Sequence, residues 1–337
     1  MPRRTAILFA VSAVAIVLLF AVDLWLGSVK LSFAEVWRAI AGCGEETATY
    51  IVRNFRLPKA VVAVLAGAAL GASGLQMQTL FRNPLAGPYV LGISSGASLG
   101  VALFLLGAPL MGIIPGMDLV RNIGIVGSAW IGAGLIFLLV MATSRRIKDI
   151  MVILVLGMML GSVAGAVVEI LQYFSTEGAV KSYVVWTMGS LGSVTLGQLR
   201  ILVPVVLLAL ASSVAVIKPL NAMMLGEQYA RTMGVNVDAA RTLVFVNTTL
   251  LAGTVTAFCG PIGFLGLAVP HVARILSGEA DHRVLMPAAM TLGAAVMLAC
   301  DIVSQLPGRT PLPINTITAL VGIPIIILVI VRNKKFF

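Results

Sequence analysis

The feature that most limits this chain is a series of long segments without formal charge. Residues 5–22, 60–81, 83–117, 122–144, 150–168, 182–199, 201–217, 242–273, 284–300 and 310–331 contain no Asp, Glu, Lys or Arg. A helix that crosses the hydrocarbon core of a bilayer needs about 20 apolar residues. Segments 83–117 and 242–273 are too long for one straight helix, and Gly and Pro interrupt both. Segment 182–199 carries Gly189, Ser190, Gly192, Ser193 and Gly197 and reads as a surface piece. The expected architecture is an all-α polytopic membrane protein of about ten transmembrane helices, forming one transmembrane domain over 1–337.

Charged residues make up 11% of the chain, against about 25% in a soluble domain. That is too few to coat a water-facing surface. A soluble enzyme, a nucleic-acid binder and a disordered chain are excluded. The net charge of +10 belongs instead on cytoplasmic loops. With the N-terminus inside and the spans alternating, inside segments hold 14 basic residues against five acidic, and the remainder nine against eight. This asymmetry puts both termini on the cytoplasmic side. Met1-Pro2-Arg3-Arg4, then a long apolar stretch with no Ala-x-Ala site after it, reads as an uncleaved first span rather than a signal peptide.

A spacing recurs. Ala66-Gly67 is followed by Gly74 and Pro84, and Ala252-Gly253 by Gly260 and Pro270, at the same offsets of 8 and 18. The first copy starts on a helix running inward and the second on one running outward, the signature of an inverted repeat. The halves are expected at about 57–172 and 239–331, holding helices 2–5 and 7–10. Both copies lead into broken helix: Asn83-Pro84-Leu85 through Gly92 to Ser94 and Ser95, and Gly260-Pro261 through Gly266. Irregular backbone at membrane depth survives only where it is buried in protein or faces water. These segments therefore point to a transport pathway, with a helix start at Ser94/Ser95 aiming its positive end at it. Close helix packing is the plainer account of most of the 34 glycines.

Several chemistries are missing from the sequence. No lysine follows a glycine, so no P-loop is present. The three cysteines and two histidines have no metal-ligand or redox spacing. Gly-x-Ser-x-Gly occurs at 92–96 and 96–100, but a nucleophile elbow needs a strand–turn–helix setting. Asp23, Glu169 and Asp301 fall near outer helix ends rather than at the midplane where ion-driven carriers usually place ionisable groups. Outside the membrane, Ser32 and Glu35 form a capping-box pattern that opens an amphipathic piece over 32–42. Trp37 and Trp186 suit the interface.

The longest cytoplasmic segment is 218–241. Within it Leu225-Gly226-Glu227-Gln228-Tyr229-Ala230-Arg231-Thr232-Met233-Gly234 reads as a short amphipathic helix. Leu225, Tyr229 and Thr232/Met233 lie on one stripe, and Glu227 and Arg231 pair at i,i+4. Such a helix is a docking surface for a partner or a solvated connector.

Leu-Gly-Glu-x-x-Ala-Arg-x-x-Gly resembles the coupling loop (about 218–238 here) of FecCD-like permeases, the membrane subunits of ABC importers for iron-siderophores, haem and vitamin B12. Other segments match in order: Arg56-Leu57-Pro58-Lys59, Ala66 to Gly71, Phe81 to Ala86, Gly263 to His271, Asp281-His282-Arg283, Asp301 and Leu312-Pro313-Ile314. The resemblance implies a type II importer in the bacterial inner membrane. It implies a second permease copy forming a homodimer, two ATP-binding subunits that carry ATP and Mg, and a periplasmic or lipid-anchored substrate-binding protein. No cofactor and no metal site belong to this chain, and it catalyses nothing itself. By resemblance, Leu225, Gly226, Glu227, Ala230, Arg231 and Gly234 engage the ATPase. Arg56 and Lys59, with Arg53 nearby, receive the binding protein. Gln305 stands where the resemblance expects a further docking Arg, and Arg309, four residues on, is the candidate substitute. Asn83, Pro84 and Leu85, with Ser94 and Ser95, mark gate and pathway; a second gate falls near Ile150-Met151. The expected cargo is a bulky metal chelate, ferric siderophore or haem before cobalamin. The alternative is a secondary transporter with an inverted repeat and no ATPase.

Overall fold

The computed structural model describes residues 3–110, 118–144, 146–147, 149–307 and 310–332. These form helices and connecting loops, with no strand among them. In chain order the helices are α1 (Arg3–Trp25), α2 (Phe33–Ala41), α3 (Glu46–Leu80), α4 (Ile93–Leu110), α5 (Asp118–Ser144) and α6 (Ile150–Phe174). Then come α7 (Glu177–Thr187), α8 (Leu196–Met224), α9 (Glu227–Thr232), α10 (Val237–Cys259), α11 (Leu265–Ser277), α12 (His282–Gln305) and α13 (Ile314–Arg332). Among the described residues eight of these are long and apolar enough to cross a membrane, and α11 and α13 are shorter apolar helices. The described residues thus hold ten apolar helices, matching the expected number, of which eight reach spanning length. The long charge-free segments break where Gly and Pro cluster: 81–92 is irregular before α4, and 260–264 separates α10 from α11.

Segment 182–199 divides differently from the expectation. Surface helix α7 begins earlier, at Glu177, and 196–199 already belongs to spanning helix α8. The cause is local. Thr195 accepts from the Gln198 backbone N–H while the Gln198 side chain accepts from the Thr195 N–H, a capping box that starts α8 there. The expected box at Ser32 and Glu35 forms in the same way and starts α2.

Helix α3 is the axis of the bundle, with every residue from Leu65 to Leu80 buried. Its small residues explain this. Gly67 and Gly71 face the backbone carbonyls of Gly293 and Ala289 in α12, and Gly74 faces that of Gly266 in α11. Gly96 and Gly100 of α4 meet α5 at Gly132 and Ser128 in the same manner. The tandem Gly-x-Ser-x-Gly is therefore a packing seam in a helix. The first helix of each half packs on the other half: α3 on α12 and α11, α10 on α5 and α4. The matched spacing does not mark equivalent backbone, however. Gly74 lies inside α3 whereas Gly260 ends α10, and Pro84 lies in a loop whereas Pro270 lies inside α11.

The segment after α3 turns back into the bundle. Thr256 of α10 donates a 3.4 Å hydrogen bond to the Tyr89 hydroxyl, and Gly157 of α6 faces the Val90 carbonyl. Ala86, Gly87, Pro88, Leu91 and Gly92 are buried, so protein rather than lipid surrounds this irregular backbone.

A Cβ at residue 74 would collide with the Gly266 carbonyl, whereas one at residue 134 would meet open space. Gly74→Val is expected to destabilise the fold by about 3 kcal/mol or more, read as a lower melting temperature in detergent. Gly134→Ala is expected to leave it unchanged.

Candidate functional site

Two regions at opposite ends of the bundle gather the candidate residues. At the end that carries the N-terminus, α8 and α10 are joined through α9. Gly226 (φ 125°) and Gly234 (φ 81°) bracket α9 in backbone conformations that L side chains resist. Ala230 is fully buried, which seats α9 on the bundle. Leu225, Tyr229 and Met233 are 67%, 54% and 59% exposed, and Met224 beside them 46%. The predicted stripe thus stands outward as an apolar patch on a braced helix.

The charges on α9 pair otherwise than the sequence suggests. Glu227 accepts from Arg241 of α10 at 2.8 Å, and Arg231 lies 3.3 Å from Asp238. There is no Glu227–Arg231 pair. The Arg241 side chain is 4% exposed, and a charge that deep needs its counter-ion. It takes Glu227, and Arg231 turns to the surface acid. Of the six coupling candidates, Leu225 and Arg231 face outward. Glu227 and Ala230 brace the helix, and Gly226 and Gly234 shape its ends.

Above α9 lies the segment after α3. Asn83 Oδ1 accepts from the Leu85 N–H at 2.9 Å, closing a side-chain turn. His271 Nε2 donates to the Pro84 carbonyl at 2.8 Å. Leu85 itself is exposed. Ser94 and Ser95 occupy the first turn of α4, behind Gly92 with φ 76°. At 150–151, Asp149 caps α6 through the Met151 N–H, and the Met151 side chain is exposed. Asp281 opens α12 by accepting from the Arg283 N–H and from Asn221, which hold its carboxyl below the usual range.

At the opposite end the three predicted docking cations have different surroundings. Arg53 is exposed and donates to the Ile40 carbonyl, closing the end of α2. Arg56 is buried. It donates to the carbonyls of Leu24 (3.0 Å), Trp25 (2.7 Å) and Val29. It thereby satisfies the otherwise orphaned end of α1. Lys59 lies 2.9 Å from Asp301 and 3.7 Å from Asp23, and Gln305 Nε2 donates to both carboxylates. A cavity of about 590 Å³ lies over this cluster, between the α1–α2, α7–α8 and α12–α13 connections. Arg309 lies outside the described residues. Sequence reasoning missed the bridge made by Gln305 and the partner of Arg241. The visible signal for the first was three charged residues stranded in otherwise apolar stretches.

Residues 15–332 match the model of the FecCD transport family. The chain belongs to that family. It is 39% identical, over 83% of its length and 82% of the relative's, to a protein of Klebsiella pneumoniae named as the vitamin B12 import system permease BtuC. It is 34% identical, over 92% and 91%, to the hemin transport system permease HmuU of Yersinia pestis. A solved inward-facing structure assigned to the metal-chelate type of ABC transporter superposes with a TM-score of 0.85 at 30% identity, covering 97% of this chain and 99% of that one. The FecCD chain is thus a multi-span membrane protein whose surface helix α9 and re-entrant segment 81–92 occupy one end and whose Lys59 cluster occupies the other.

Lys59→Met would leave Asp23 and Asp301 facing each other without a cation. The expected result is a loss of about 3 kcal/mol or more, measured by thermal unfolding in detergent. Asp23→Asn together with Lys59→Met is expected to restore part of it.

Proposed function

We propose that this FecCD chain is the permease subunit of an ATP-driven importer in the bacterial inner membrane, working as a homodimer with both termini in the cytoplasm. The observation that carries the reading is the braced α9 helix with its exposed Leu225, Tyr229 and Met233, in a chain of this family without a P-loop of its own. Two separate ATPase subunits, which hold ATP and Mg, seat on that patch. A substrate-binding protein docks at the opposite end. With Arg56 and Lys59 engaged inside the chain, docking falls to Arg53 and Arg309.

The cargo is a metal-bound macrocycle. Relatives named for vitamin B12 and for hemin stand at similar identity, which supports a corrin- or porphyrin-sized chelate over a ferric siderophore. The sequence alone ranked cobalamin last, and these relatives do not support that order. A secondary transporter is disfavoured because the buried carboxylates among the described residues, Asp23 and Asp301, are held by Lys59 and Gln305.

The test is ATPase activity of the reconstituted complex with haem, cobalamin and ferric siderophore added in turn. Stimulation by one of the macrocycles supports the reading. ATP-independent uptake by the permease alone would overturn it. Tyr229→Ala is expected to weaken ATPase assembly by about thirtyfold in Kd, the scale of an interface anchor, without lowering the permease's melting temperature.

A further inference from the structure

The end of α3 is built in an unusual way. The Arg82 N–H bonds to the Thr79 carbonyl (3.2 Å) and the Asn83 N–H to that of Gln78 (3.2 Å), closing the helix. Such an end requires one left-handed residue, nearly always glycine. Here the left-handed residue is Arg82, at φ 47°, one of two non-glycine residues with positive φ among those described. A bulky residue in that conformation persists only where its surroundings hold it. What holds it is the side chain. Arg82 Nη2 donates to the Met223 carbonyl of α8 at 2.9 Å. The same carbonyl accepts from the Gly226 N–H at 3.1 Å, at the turn that launches α9. The residues that follow Arg82 are Asn83, Pro84 and Leu85.

A separate route fastens the same two helix ends without touching that segment. Asn221 of α8 accepts from the His282 N–H at 2.9 Å, and His282 Nε2 meets Thr79 Oγ1 of α3 at 2.8 Å. Helix position is therefore secured by Asn221, His282 and Thr79. The Arg82 contact joins the start of α9 to the start of the 83–85 segment.

We propose that Arg82 is a positioning residue that carries displacement of α9 to the Asn83–Leu85 gate segment. The inference rests on the importer reading above. When an ATPase moves α9, the Met223 carbonyl moves with it. The guanidinium follows, and the backbone of Arg82, already in a sparsely populated state, swings the adjoining turn. Arg82→Gly removes the guanidinium while suiting the left-handed backbone, so the fold is not put at risk.

The experiment compares wild type and Arg82→Gly in the reconstituted complex with ATPase and binding protein. Two quantities are read: substrate moved per ATP hydrolysed, and spin-label distances across the dimer at Leu85 and at Gln228 with and without ATP. The expected result is that substrate moved per ATP falls by about fivefold or more. The label at Gln228 still shifts on ATP binding, and the label at Leu85 no longer does. Arg82→Lys restores part of the coupling. An unchanged ratio, an unimpaired shift at Leu85, or a parallel fall in transport and hydrolysis would overturn the inference. A wild-type complex without ATP-driven uptake would overturn the importer reading itself, and would be seen before any substitution is made.

Discussion

Helix α3 touches α11 and α12 backbone to backbone, through Gly67, Gly71 and Gly74. Lipid offers no hydrophobic drive for one helix to leave it for another, so association depends on close van der Waals approach. The rest of the structure follows from that contact. It buries α3 on every side from Leu65 to Leu80. It brings Thr79 against His282 and Gln78 against the Leu267 carbonyl. It also fixes the point at which the chain leaves α3 and turns back into the bundle.

The amides and charged side chains buried within the spans are tied to protein partners, whereas the Thr5 and Ser12 hydroxyls of α1 have none. Gln76 of α3 donates to Ser213 of α8 and Asn247 of α10, and Asn247 donates in turn to Ser212 and the Ala209 carbonyl. This network ties together the two helices that α9 connects. Arg56 closes α1, Lys59 joins α1 to α12, and Arg241 binds Glu227. An unpartnered polar group in hydrocarbon costs several kcal/mol, and these contacts remove that cost. What remains exposed at the bundle ends is then informative. The apolar patch on α9 and Leu85 are left unused by the fold.

Most of the architecture was legible in the sequence. Charge-free length located the spans, and Gly-Pro clusters located the breaks at 81–92 and 260–264. A capping box located the start of α2; the one at Thr195 that starts α8 went unread, so the surface helix before α8 was placed a few residues late and drawn too far. The coupling segment was legible as a pattern, because Leu225, Tyr229 and Met233 share one face of any helix drawn through them. Charge pairing was less legible. Helical spacing allows Glu227 to reach Arg231, but spacing carries no knowledge of Arg241, which arrives from α10 and has nowhere else to put its charge.

The outer basic residues show the same limit. Arg53, Arg56 and Lys59 look alike in the sequence, three cations within one seven-residue stretch. Only the tertiary structure separates them, since burial and the partners at 24, 29, 23 and 301 come from elements distant in the chain. The sequence by itself determined the solvent, the number of spans, the places where helices break and the family. It could do so because each is set by composition or spacing within a local window. The tertiary structure decided which charges are held inside, which face of α9 stands free, and that Arg82 bridges α8 to the segment after α3. Each of those depends on groups brought together from different helices, some more than 140 residues apart, and spacing within one helix does not show which partner is met.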